Sequence, residues 1–216
     1  MLERISRREE FDLFIAWIAI SLSFAIIKIA PNGVLGGPIK SVDPVVALIY
    51  FGISLLTVGI GFILHEIAHK FTAIRYGYWA EFRKDNSMLL IAVALASLVG
   101  FVFAAPGATV IYSNDGRGLS REQNGKISAA GPVINLLLGI PFAGLVLIGS
   151  ALMNTSGNLL SQIGIFGIQI NAMIAAFNML PISILDGRKV MSWNLPVFAL
   201  LILASFGLLV GSFYVF

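Results

Sequence analysis

The 216-residue chain contains two histidines, His65 and His69, four residues apart. On an α-helix that spacing puts both rings on one face, ~40° apart and ~6 Å along the axis, close enough to hold one ion. Glu66 follows the first, giving His65-Glu66-Ile67-Ala68-His69. In this HExxH pattern two imidazoles bind zinc and the glutamate serves as the general base that takes a proton from water. A catalytic zinc takes three protein ligands and keeps one position open. With no cysteine and no third histidine, the third ligand must be one of eleven carboxylates. Glu3, Glu9, Glu10 and Asp12 precede the first apolar run, and Asp43 opens the histidine-bearing segment at its far end. Glu81, Asp85, Asp115 and Glu122 lie in loops rich in Lys and Arg, whereas Asp186 alone closes an apolar run. Asp186 is therefore the candidate third ligand. Two neutral imidazoles, a doubly charged cation and the Glu66 and Asp186 carboxylates sum to zero charge, which suits a low-dielectric site.

The elements that carry these residues belong to a membrane protein. Hydrophobic residues make up 58% of the chain and charged ones 12%, with a mean hydropathy of +0.92. A soluble domain carries roughly 25% charged residues, and several apolar runs here reach the ~20 residues a spanning helix needs. Ionised groups at membrane depth cost ~2.5–3.5 kcal/mol each on insertion scales, so a histidine–carboxylate cluster there calls for a partner.

The first span is expected over Phe11–Ile29, preceded by a mixed-charge flank that reads as a solvated membrane-surface segment. Asp43-Pro44 has the form of a helix start, and the helix it opens should run through His69 and stop at Gly77. At 1.5 Å per residue that helix is about 50 Å long, exceeding the hydrocarbon core, so the histidines sit towards one membrane face. Tyr76–Asn86 reads as polar and basic, and Met88–Ala105 as apolar but broken at Gly100, with strand-like pieces near Phe101–Phe103 and Ala108–Tyr112. Further spans are expected over Ile127–Met153, Leu159–Leu180 and Pro196 to the C-terminus. Residues 43–190 would form the catalytic core, with 1–42 and 191–216 flanking it.

Parity and charge decide how these spans are counted. If Met88–Ala105 crossed completely, Asp186 would emerge on the face opposite the histidines, and the fourteen Lys and Arg residues would divide evenly between the two sides. If it dips in and returns, the site closes, and only Lys28 and Lys40 fall on the external side. The positive-inside rule favours the second arrangement. The expected fold is an all-α polytopic membrane protein with five spans, a re-entrant hairpin, and the N-terminus and site towards the cytoplasm.

Three blocks taken together resemble the site-2 protease family: HEIAH on one span, Gly131-Pro132-Val133-Ile134-Asn135 on a later one, and Asn178-Met179-Leu180-Pro181 leading to Leu185-Asp186-Gly187. They occur in the family's order over roughly residues 45–190. The resemblance implies an intramembrane zinc endopeptidase with one Zn²⁺ held by His65, His69 and Asp186. Glu66 would be base and proton shuttle, and Asn178 would steady the substrate or the oxyanion. Ile184 departs from the pattern, since many members carry a second proline there. For Asn135, packing between helices is the first expectation; Gln169 and Asn171 read as helix contacts. The implied partners are a membrane-spanning protein substrate and the lipid bilayer, with no nucleic acid; a homo-oligomer is compatible with the sequence. Two other readings stay open: a membrane zinc protease of the kind that trims prenylated tails, and a non-catalytic zinc-binding scaffold. The first takes a glutamate ligand from a separate helix, and this chain has none in a span. Intact Glu66 speaks against the second.

Overall fold

The computed structural model describes residues 5–37, 43–102, 106–112, 118–153, 158–182 and 184–215. Glu3, Lys40, Phe103 and Asp115 lie outside them. Among the described residues, five helices are long and apolar enough to cross a membrane: α1 (Arg7–Ile29), α2 (Pro44–Arg75), α4 (Arg121–Met153), α5 (Leu159–Asn178) and α7 (Leu195–Val215). Two short helices, α3 (Asn86–Val99) and α6 (Asp186–Trp193), and two strands, β1 (Trp79–Lys84) and β2 (Gly107–Tyr112), complete the described elements. The protein is a multi-pass membrane protein of all-α class. Its chain forms two compact units, Met1–Gly59 with Glu81–Val110, and Ile60–Ala80 with Ile111–Phe216, so α2 gives its first half to one and its second half to the other.

In the first unit, α1 starts four residues before the expected Phe11, because Ser6 Oγ accepts the Glu9 N–H and caps the helix. In the flank expected to be solvated, Arg7, Arg8 and Glu10 are exposed, but Glu9 and Asp12 are buried. Glu9 is 2% exposed, and its Oε1 accepts the Phe82 N–H of β1 at 3.0 Å. Asp12, also buried, lies 3.7 Å from the Arg83 guanidinium. These partners come from residues seventy positions away, and they are what makes burial of the two carboxylates tolerable. Further along, Trp17 donates its indole N–H to the Leu55 carbonyl of α2 at 2.8 Å. Gly59 makes room for that indole, since a Cβ there would stand 2.7 Å from Nε1.

α2 begins as expected, with Asp43 Oδ1 accepting the Val45 N–H at 2.8 Å, and the chain turns at Gly77 (φ +84°). α3 explains the re-entrant segment. Asp85 caps its start by accepting from the Ser87 and Met88 N–H groups, and Gly100 ends it in the left-handed region at φ 70°. Gly100 is pressed against the loop that follows α1, where a Cβ would lie 1.9 Å from the Pro31 carbonyl oxygen. The same loop donates from Val34 and Leu35 to the Ser97 and Leu98 carbonyls. By Pro106 the chain is back at the other end of the helix, where the Asp85 N–H reaches the Pro106 carbonyl at 2.8 Å. Fourteen residues rise about 21 Å, short of the ~30 Å core. The segment dips and returns.

β2 covers the expected strand and pairs with β1, which runs through the stretch read from sequence as a polar loop. The pairing is antiparallel, 85 meeting 106 and the partners diverging from there. Phe101 and Val102, expected to be strand-like, are in no strand.

In the second unit, α4 begins at Arg121, six residues earlier than expected, because Ser120 and Gln123 form a reciprocal capping box with bonds of 3.1 and 3.0 Å. Glycines let α5 lie close on α4: a Cβ at Gly167 would stand 2.2 Å from the Phe142 ring, which packs with Val146 and Ile168. Asp186–Lys189 forms the first turn of α6. Val190 anchors this helix among Ala129, Met179 and Leu201.

The chain contains no cysteine, so topology is open to direct test. Single cysteines at Leu35 and Val110, both exposed, should label from opposite membrane faces with an impermeant thiol reagent. Labelling from the same face would make Met88–Ala105 a complete crossing.

Candidate metal centre

His65 and His69 lie in the last third of α2, and Asp186 opens α6; all three are buried. The Nε2 atoms of the two histidines are 3.0 Å apart. Asp186 Oδ2 lies 3.0 Å from His69 Nε2 and 3.5 Å from His65 Nε2. Three donors at ~2.0–2.1 Å from a tetrahedral zinc stand about 3.3 Å from one another, so these three atoms outline one face of such a tetrahedron. Among the described residues this is the one cluster of its kind.

The tautomers support the same conclusion. His69 Nδ1 donates to the Ile127 carbonyl at 2.8 Å, and His65 Nδ1 faces Asn135 Oδ1 at 2.5 Å. With both Nδ1 atoms bound as donors, both Nε2 lone pairs point at the carboxylate oxygen and at each other. That convergence is repulsive unless a proton or a metal ion sits among them. Burial disfavours the Asp186 carboxylate, but His69, the hydrogen bonds from both imidazoles and Lys189 outweigh it. They hold the carboxyl well below the usual carboxylate range.

Asn135 is fully buried and its orientation is fixed by its neighbours. Its Nδ2 donates to the Gly61 carbonyl at 3.1 Å and to Asn171 Oδ1 at 2.8 Å, which leaves Oδ1 for His65. Asn171 in turn donates to the Gly167 carbonyl at 2.8 Å. Two residues read from sequence as helix packing thus form a directed relay that sets the His65 tautomer. The signal in sequence was two uncompensated amides in apolar spans, which does not say what they face. Close approach of the helices depends on glycine. A Cβ at Gly131 would stand 2.5 Å from His69 Nε2, and one at Gly61 2.9 Å from Asn171 Oδ1. Pro132 lacks the N–H that would bond the Ser128 carbonyl, one residue after Ile127, the acceptor for His69.

Asp186 is positioned by its own short turn. A Cβ at Gly187 would stand 2.1 Å from the Met179 carbonyl oxygen, so the first turn of α6 is seated on the end of α5. Glu66 is buried next to the first ligand, at 8% exposure. Asn178 is half-buried, and its Nδ2 donates to the Ile174 carbonyl of its own helix at 3.0 Å. An apolar cleft of about 330 Å³ between α2 and α4, lined by Leu64, Ile67 and Phe71 with Ile134 and Leu137, offers no polar group. By helical phase it opens on a different face of α2 from the histidines.

Outer partners of metal-bound histidines typically contribute ~10–100-fold to metal affinity or activity. Asn135→Ala should weaken metal binding by about that factor, read by chelator competition, with Asn171→Ala showing a smaller loss. Unchanged affinity in Asn135→Ala would return both residues to a packing role.

Comparison with known proteins points to proteins named as zinc metalloproteases. No family profile matches the chain, and no solved structure matches it. The chain is 41% identical over 197 residues to a Methanocaldococcus jannaschii protein named "Putative zinc metalloprotease MJ0611", covering 91% of this chain and 90% of that one. It is 28% identical over 165 residues to a Bacillus subtilis protein named "Putative zinc metalloprotease YwhC", covering 68% and 74%. The chain belongs to the family of the M. jannaschii protein, which is named a putative zinc metalloprotease.

Proposed function

We propose that this protein is a zinc-dependent intramembrane endopeptidase of the site-2 protease type, hydrolysing peptide bonds of membrane-spanning substrates near the cytoplasmic face. The observation that carries the reading is the meeting of His65 Nε2, His69 Nε2 and Asp186 Oδ2 within 3.5 Å, with both histidines on a helix long and apolar enough to span a bilayer. The cytoplasmic orientation is supported by the distribution of Lys and Arg, with Lys28 among the few on the other side.

His65, His69 and Asp186 would hold the zinc and leave one position for water or substrate. A bound zinc supplies a Lewis acid and lowers the pKa of a coordinated water towards ~7. Glu66, one residue after a ligand and buried, takes the proton from the attacking water and hands it to the departing amine. Gly131 closes one side of the site with backbone alone, leaving the space at the two Nε2 atoms free of side chain. Asn178 stands at the end of α5, just before the turn that seats Asp186. Released from Ile174, its amide would donate to the substrate carbonyl as charge develops there. Helical carbonyls are shielded, so the substrate must unwind.

Glu66→Ala should abolish cleavage of a model membrane-spanning peptide while retaining about one zinc per chain, because Glu66 is not a ligand. Near-normal turnover in detergent would refute the mechanism. His65→Ala and Asp186→Ala should lose metal and activity together. Losing one oxyanion donor costs about 10²–10³ in rate, so Asn178→Ala should slow cleavage by that order with metal content unchanged. Loss of metal or of folding in Asn178→Ala would assign the residue to packing.

A further inference from the structure

The two oxygens of Asp186 have different partners. Oδ2 faces both histidine Nε2 atoms, at 3.0 and 3.5 Å, while Oδ1 lies 3.6 Å from Lys189 Nζ, one turn along α6. We propose that Lys189 is a positioning residue that holds Asp186 as a single-oxygen ligand and so keeps the fourth coordination position open for the attacking water. The inference rests on the zinc reading above.

A carboxylate can bind a metal through one oxygen or through both. Asp186 sits at the first residue of its helix, and its capping neighbour Leu185 makes no side-chain bond to the turn. Rotation about the Asp186 side-chain bonds would bring Oδ1 towards the metal position, filling the site with a second oxygen. Substrate water would then have to compete for a fifth position. Lys189 opposes this by giving Oδ1 an ammonium on the side away from the imidazoles. Helical phase assigns the task to this residue. Lys189 lies three positions after Asp186, on the same face, and is half-buried, whereas the adjacent Arg188 is exposed. The seat of Gly187 on the Met179 carbonyl fixes the turn that brings the two side chains together. At 11% exposure, the carboxylate's end of the pair is poorly screened by solvent, unlike an ordinary surface ion pair.

The test uses full-length protein in detergent, loaded with Co²⁺ in place of zinc. Wild type should bind about one Co²⁺ per chain with the strong visible absorption of a four-coordinate ion. Lys189→Met should retain the metal, show the several-fold weaker bands of a five-coordinate ion, and lose turnover by about 10–100-fold, the usual weight of an outer partner. Lys189→Arg should restore both the spectrum and most of the turnover. A four-coordinate spectrum in Lys189→Met would overturn the inference and leave the zinc site intact. Failure of the wild type to bind Co²⁺ or zinc at this cluster would instead overturn the metalloprotease reading itself.

Discussion

Two imidazole nitrogens and a carboxylate oxygen converge across 3.0–3.5 Å inside a membrane-spanning bundle, an arrangement that needs a proton or a metal ion between them. Much of the second unit serves to enforce that convergence. The Ile127 carbonyl and the Asn135 amide take the Nδ1 protons, so neither ring can turn or change tautomer without losing a buried bond. Asn171 and the Gly61 carbonyl in turn prevent the Asn135 amide from flipping.

The same constraint explains where small residues occur. Helix association in lipid has no hydrophobic driving force, so close backbone contact and buried polar bonds must supply it. Gly61, Gly131 and Gly167 each stand where a methyl group would collide with a ligand, a relay amide or a packed ring. The proline at 132 is part of this design. It removes one N–H from the hydrogen-bond ladder of α4 close to Ile127, which receives His69.

The first unit meets a different demand: backbone that is neither helix nor barrel must find its bonds within the protein. The re-entrant segment does so through the loop after α1 at one end and through Pro106 and β1 at the other. The buried carboxylates of Glu9 and Asp12 complete the account, the first satisfying a β1 N–H and the second pairing with Arg83. Charges near the N-terminus of the first span thus act as structural partners of a strand.

The sequence by itself determined the five spans, the dip of Met88–Ala105, and the grouping of His65, His69 and Asp186. Hydropathy, parity and the scarcity of ligand-type residues are properties of composition and order. It could not determine what depends on partners distant in the chain. β1 reads as a polar loop because its pairing strand and its carboxylate acceptor lie elsewhere. The helix starts at Arg7 and Arg121 precede the apolar runs because capping bonds and tertiary contacts extend them. Asn135 and Asn171 look like any span asparagines until the direction of each amide is known. Only the tertiary structure decided that direction, because an amide's role depends on which groups face its oxygen and its nitrogen, and those groups come from three different helices.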